Sequence, residues 1–133
     1  MIGLVVVCHG DMGVELVKAA EMIVGSIEGV VTVGVRQDSA PETLREEIEK
    51  ALKKSDRKKG VIVCTDMFGG TPSNIALAYL GERVEVVTGV NLPMLIKFAN
   101  HREDKTLREL AALVQEAGQK SIVIASQMLK GAK

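Results

Sequence analysis

His9 and Asp66 each stand directly after an apolar run, Leu4-Val5-Val6-Val7-Cys8 in one case and Val61-Ile62-Val63-Cys64-Thr65 in the other. If those runs are neighbouring strands, the two side chains meet at one edge of a sheet. A carboxylate beside an imidazole has a definite chemical use. It accepts the hydrogen bond of one ring nitrogen, fixes the tautomer and leaves the other nitrogen as a nucleophile. Gly69-Gly70-Thr71 follows and opens a helical segment, where backbone N–H groups and the positive helix end favour an anion. A nucleophilic ring beside an anion cradle suggests phosphoryl transfer through a phosphohistidine. Gly10, Gly70 and Thr71 are the candidate hydrogen-bond donors to the phosphoryl oxygens. Such transfer needs alignment and oriented donors rather than a metal or an organic cofactor.

Each residue also has a plain structural reading. A histidine after a strand is more often not catalytic, Asp66 could cap a turn, and Gly-Gly-Thr-Pro is an efficient way to start a helix. It is the coincidence of all three at one sheet edge that favours function. Cys8 and Cys64 lack metal-ligand spacing and read as buried small hydrophobes and reduced thiols. His101, in the charged stretch His101-Arg102-Glu103-Asp104-Lys105, reads as a solvated loop residue. Met12, Met67, Phe68 and Met94 form either core or an exposed apolar rim for a protein partner. The nearness of the first three to His9 or Asp66 in sequence favours the rim.

The elements that position these residues alternate in type. Residues 2–8, 30–35, 60–65 and 84–88 are β-branched apolar runs of strand length, and the first is apolar almost throughout, as in a strand buried on both faces. Between them lie segments of helical period, 13–25, 42–55 and 72–81, then a short helix over 92–100 and a longer one over 107–118. Ser39-Ala40-Pro41-Glu42 and Thr106-Leu107-Arg108-Glu109 read as capping boxes, and Thr71 as a cap with Pro72 in the first helical position. Ser121–Ala125 reads as a fifth, short strand. This alternation predicts an α/β doubly wound three-layer sandwich, with a mostly parallel four-stranded sheet plus a fifth antiparallel edge strand. Sites in such sheets form beyond the carboxyl ends of the strands, where strand order reverses. Cys8-His9-Gly10-Asp11, Thr65-Asp66 and Thr88-Gly89-Val90-Asn91 are the segments that reach that edge.

Composition narrows the function classes. At 133 residues the chain reads as a single domain over 1–133. Lys+Arg and Asp+Glu number 17 each, so the basic excess of a phosphate-neutralising nucleic-acid binder is missing. No apolar run reaches the ~20 residues of a membrane span, and the N-terminus lacks the charged start of a signal peptide, so a cytoplasmic location is expected.

These stretches resemble the enzyme IIA component of the mannose family of the bacterial sugar phosphotransferase system. The matching blocks are Cys8-His9-Gly10, Asp66-Met67-Phe68-Gly69-Gly70-Thr71-Pro72-Ser73-Asn74 and Gly89-Val90-Asn91-Leu92-Pro93-Met94-Leu95, with Ala20-Glu21-Met22 and Glu42-Thr43-Leu44 beside them. The resemblance implies that His9 is the phosphorylated residue, receiving phosphate from the histidine-containing phosphocarrier protein and handing it to a histidine of a IIB component. It implies that Asp66 bonds Nδ1 and leaves Nε2 to carry phosphate, and that Thr71 contacts the phosphoryl group. It also implies a homodimer in which Ser121–Ala125 packs on the partner's sheet, and an indirect association with membrane transporter subunits. Two other readings stay open at this point: a regulatory phospho-acceptor module, and an α/β domain that binds a phosphorylated metabolite.

Overall fold

The computed structural model describes residues 1–131. Four strands, β1 (Gly3–His9), β2 (Val30–Val35), β3 (Val61–Thr65) and β4 (Val84–Thr88), form one parallel sheet in the order β2-β1-β3-β4. The helices are α1 (Met12–Val24), α2 (Pro41–Ser55), α3 (Thr71–Leu77), α4 (Leu92–His101), α5 (Leu107–Lys120) and α6 (Ala125–Gly131).

The alternation of β1 divides the core in two. Leu4, Val6 and Cys8 pack with Ile62 and Cys64 against α1, α4 and α5, in a cluster that includes Ala20, Leu95, Phe98, Leu110 and Val114. Val5 and Val7 face the other way with Val61 and Val63, against Leu44 and Ile48 of α2 and Ile75 and Ala76 of α3. A strand covered on both faces must be apolar at every position, which is why β1 reads as an unbroken run. Gly13 lets α1 lie close on β1, because a Cβ there would stand 3.2 Å from Val6 Cγ1.

Strand order reverses between β1 and β3. The helices that follow these two strands, α1 and α3, lie on opposite faces of the sheet, so a crevice opens between them. Val7 pairs with Thr65, and the chain beyond each leaves the sheet side by side, carrying His9 from one strand and Asp66 from the other.

The fifth strand does not form within the single chain. Ser121 caps α5 in a helical conformation (φ −79°, ψ −11°). Ile122–Ile124 pair with no strand among the described residues, and Ala125 opens α6. The segment does not pair with the β4 edge of its own sheet, three β-branched residues alone cannot hold a strand, and Ala-Ser-Gln-Met-Leu-Lys behind them favours helix. Two predicted caps also differ. Pro41 holds the preceding residue extended, so Ala40 (φ −75°, ψ 138°) takes the cap position of α2. Ser39 Oγ instead accepts from the Arg36 N–H at 2.9 Å. Gly70, not Thr71, is the cap of α3. That helix ends at Leu77, where tighter three-residue bonds, Ala78 N–H to Ile75 O and Tyr79 N–H to Ala76 O, close it short of Gly81. The Thr106–Glu109 capping box forms as read, with Thr106 Oγ1 accepting from the Glu109 N–H at 3.2 Å and Glu109 Oε1 from the Thr106 N–H at 3.0 Å.

Candidate active site

One oxygen of Asp66 holds His9 twice. Oδ2 accepts from the His9 backbone N–H at 2.8 Å and lies 2.8 Å from ring Nδ1. Burial pushes the Asp66 carboxyl up, but the His9 amide bond, the His9 ring bond and the ring's charge together outweigh it and hold the group below its ordinary value. The carboxylate is therefore ionised at neutral pH and can only accept, which places the hydrogen on Nδ1 and the free lone pair on Nε2. The Asp66 side chain is 9% exposed while the His9 side chain is 53% exposed. A buried carboxylate thus holds an exposed imidazole.

One glycine brings the backbone close to the ring. Gly70 (φ 84°) occupies a region that other residues enter only with strain, and the position of its missing Cβ is 3.8 Å from His9 Cε1. Its C=O accepts the first bond of α3 from Asn74 N–H at 3.0 Å, so the Gly70 and Thr71 N–H groups precede the helical ladder. Thr71 is exposed beside them. Gly10 (φ 59°) differs from its expected role: its N–H donates to Val35 O at 2.8 Å and is not free for an anion. Its contribution is conformational, a left-handed step that turns the chain out of β1 into α1.

Of the four residues expected at an apolar rim, three are exposed and one is buried. Met12 (43%), Met67 (54%) and Phe68 (76%) are exposed around His9 and Asp66, whereas Met94 is 2% exposed and belongs to the core. Met94 sits in the first turn of α4, where its Sδ accepts from the Asn91 N–H at 3.3 Å and Gly118 of α5 closes over it. A turn residue of a helix packed between two others cannot also serve a surface. His101 likewise is the last residue of α4 rather than a loop residue, half-buried with Nδ1 3.8 Å from Asp104 Oδ1. Cys8 and Cys64 are buried, and burial pushes both thiols up to about 12, with the Asp66 charge adding to Cys8 and Cys8 adding to Cys64. Both are thiols rather than nucleophilic thiolates at neutral pH. Among the described residues no three His, Cys, Asp or Glu side chains stand together as a metal set.

Sequence reasoning missed Arg36. Its Nη2 donates to Asp11 Oδ1 at 2.5 Å, across the loop that follows His9. The only signal was a single arginine directly after β2. It also missed Arg102, which is 6% exposed within a stretch that reads as solvated.

A family profile described as the PTS system fructose IIA component matches residues 3–115. The chain belongs to this mannose-type IIA family. The family member is 31% identical over its whole length to the PTS system fructose-specific EIIA component of Bacillus subtilis (strain 168), of which it covers 92%. It is 36% identical, over 91% of its length, to the PTS system mannose-specific EIIAB component of Escherichia coli (strain K12), but spans only 38% of that protein. Among solved structures it is similar to the phosphotransferase system component EIIA of Streptococcus agalactiae, with a TM-score of 0.85, 26% identity, and coverage of 96% of this chain and 99% of that one. It is similar also to the PTS IIA protein associated with the fucose utilization operon of Streptococcus pneumoniae, with a TM-score of 0.84, 30% identity, and coverage of 96% and 95%. The protein is therefore an EIIA component of the sugar phosphotransferase system, a phosphotransferase in the general sense of that family.

Proposed function

We propose that this EIIA component carries phosphate on Nε2 of His9, accepting it from the histidine-containing phosphocarrier protein and passing it to a IIB component. The observation that carries the reading is the 2.8 Å contact of Asp66 Oδ2 with Nδ1 of an exposed ring. The Nε2 lone pair attacks phosphorus in line, the N–P bond of the donor histidine breaks, and its electron pair returns to the donor ring. Nδ1–H stays on Asp66, whose negative charge stabilises the ring as it becomes cationic. Donors fixed beforehand then hold the charge on the phosphoryl oxygens, a role we give to the Thr71 hydroxyl and the Gly70 and Thr71 N–H groups. Met12, Met67 and Phe68 would supply the apolar contact with donor and acceptor proteins.

The same reading includes a homodimer. Ile122, Val123 and Ile124 are 78%, 57% and 61% exposed, and β4 has a free edge. A groove of about 540 Å³ runs between that edge and α5, lined by Val86, Thr88, Ala111, Gln115 and Ile122 among others. Residues 121–125 of a second copy supply the strand that such an edge lacks. Among the described residues no helix is long and apolar enough to cross a membrane, and contact with a transporter would pass through the IIB component.

The test is labelling from phosphoenolpyruvate in the presence of the general phosphotransferase proteins. Acid-labile phosphate should appear on the wild type and be absent from His9→Ala. Label that persists in His9→Ala overturns the assignment, and label that no IIB component can remove favours a regulatory phospho-acceptor instead.

A further inference from the structure

The loops that leave the carboxyl ends of the four strands, residues 10–11, 36–40, 66–70 and 89–91, contain four charged side chains. Three are aspartates, Asp11, Asp38 and Asp66, and the fourth is Arg36. A phosphoryl group brings a charge of about −1.5 to −2 at neutral pH to a rim that is already acidic. Arg36 is the one cation in those loops to meet it.

Its placement suits the task. Gly10 N–H bonds to Val35 O, so the residue after His9 is tied to the residue before Arg36. Arg36 itself is fixed at the backbone: its N–H donates to Ser39 Oγ at 2.9 Å, and its C=O accepts from the Ser39 N–H at 3.2 Å. The guanidinium lies over Gly10, with Nη1 3.7 Å from where a Gly10 Cβ would stand. That is one residue from His9, on the β2 flank, whereas Asp66 and Gly70 hold the β3 flank. Gly34 and Gly10 have no side chains to obstruct the fork. The pair with Asp11 is exposed on both sides, 55% for Arg36 and 72% for Asp11, and such pairs are weak enough to exchange partners. A planar guanidinium is also the side chain best matched to two oxygens of one phosphoryl group.

We propose that Arg36, held on Asp11 while His9 is bare, turns to contact the phosphoryl group once His9 carries it. This rests on the carrier reading, and its test is arranged so that the two can fail separately. Potassium phosphoramidate loads the ring directly, the ring nitrogen displacing ammonia from phosphorus, so no partner protein is needed. The phosphorus NMR signal is then titrated with pH in wild type, Arg36→Gln and Arg36→Lys, with His9→Ala marking which signal belongs to His9. A contacting guanidinium stabilises the more highly charged phosphoryl form. The Arg36→Gln signal should therefore titrate about half a pH unit or more above wild type, with Arg36→Lys between them. The difference should shrink but persist at raised salt, which screens a distant charge more than a contact. Superimposable curves for wild type and Arg36→Gln, or a difference that vanishes at raised salt, overturn the contact and leave the carrier reading standing. A wild type that gives no signal dependent on His9 overturns both.

Discussion

Asp66 Oδ2 reaches both the backbone N–H and ring Nδ1 of His9, each at 2.8 Å, so one carboxylate oxygen fixes the position and the tautomer of the same residue. The other oxygen, Oδ1, is buried and has no hydrogen-bond partner among the described residues. The carboxylate thus engages His9 through one atom.

Asp66→Asn tests the electrostatic half of that arrangement. The amide keeps the shape but loses the charge, and its N–H₂ can turn to Nδ1 and invert the tautomer. Phosphorylation of His9 from the phosphocarrier protein should slow by roughly 10²- to 10⁴-fold, by analogy with orienting aspartates elsewhere. Single-turnover labelling measures it. Wild-type rates in this variant would show that the carboxylate does not set the reactive nitrogen.

The same carboxylate makes stability depend on acid. Its folded value lies below the ordinary 3.8, so the stabilisation it gives is fully present above that ordinary value and is lost as pH falls from there through the lowered folded value. Urea unfolding at neutral pH should separate wild type from Asp66→Asn, and the gap should close as pH is taken below about 3.9. A gap independent of pH would point to packing instead.

Arg102 anchors the far end of the sheet, and its loss should be felt in stability rather than chemistry. Nε and Nη2 donate to Ile2 O at 3.0 and 2.7 Å, Nη1 donates to Glu28 O, and the guanidinium stacks 4.9 Å from the centre of the Phe98 ring. Arg102→Ala leaves two main-chain carbonyls near the start of β1 and β2 without their donor. The expected cost is about 2–4 kcal/mol, read by chemical denaturation. Labelling of His9 at low temperature should be retained, because the site lies at the opposite ends of the strands.

Much of this was legible in the sequence because the fold and the site obey local signals. A short, β-branched, unbroken apolar run favours a strand covered on both faces, and that run ends at His9. The parallel pairing of β1 with β3 then places Asp66 beside it without further information. What was not legible depends on contacts between distant segments. Met94 and Phe68 are both apolar residues near strand ends, and nothing in their neighbours tells that Gly118 closes over the first while the second stays open. Arg102 looks like any residue of a charged stretch, since the carbonyls it serves lie 100 and 74 positions away. Ser39 fits a capping box by spacing, but Pro41 moves the cap onto Ala40.

The segment read as a fifth strand provides the last prediction. Ile122-Val123-Ile124 has the composition of a strand and pairs with none among the described residues. A row of three exposed β-branched residues beside an unpaired sheet edge is unfavourable in an isolated monomer, both for its apolar surface and for the free backbone groups of β4. If a second copy covers both at once, charge placed in the segment must separate the copies without unfolding either. Ile122→Asp combined with Ile124→Asp should therefore convert a dimer to a monomer in sedimentation, with circular dichroism unchanged. His9 should still accept phosphate, since its Asp66 and Gly70 partners come from the same chain. A wild type that sediments as a monomer across the accessible concentration range would remove the dimer and leave the exposed run to another partner.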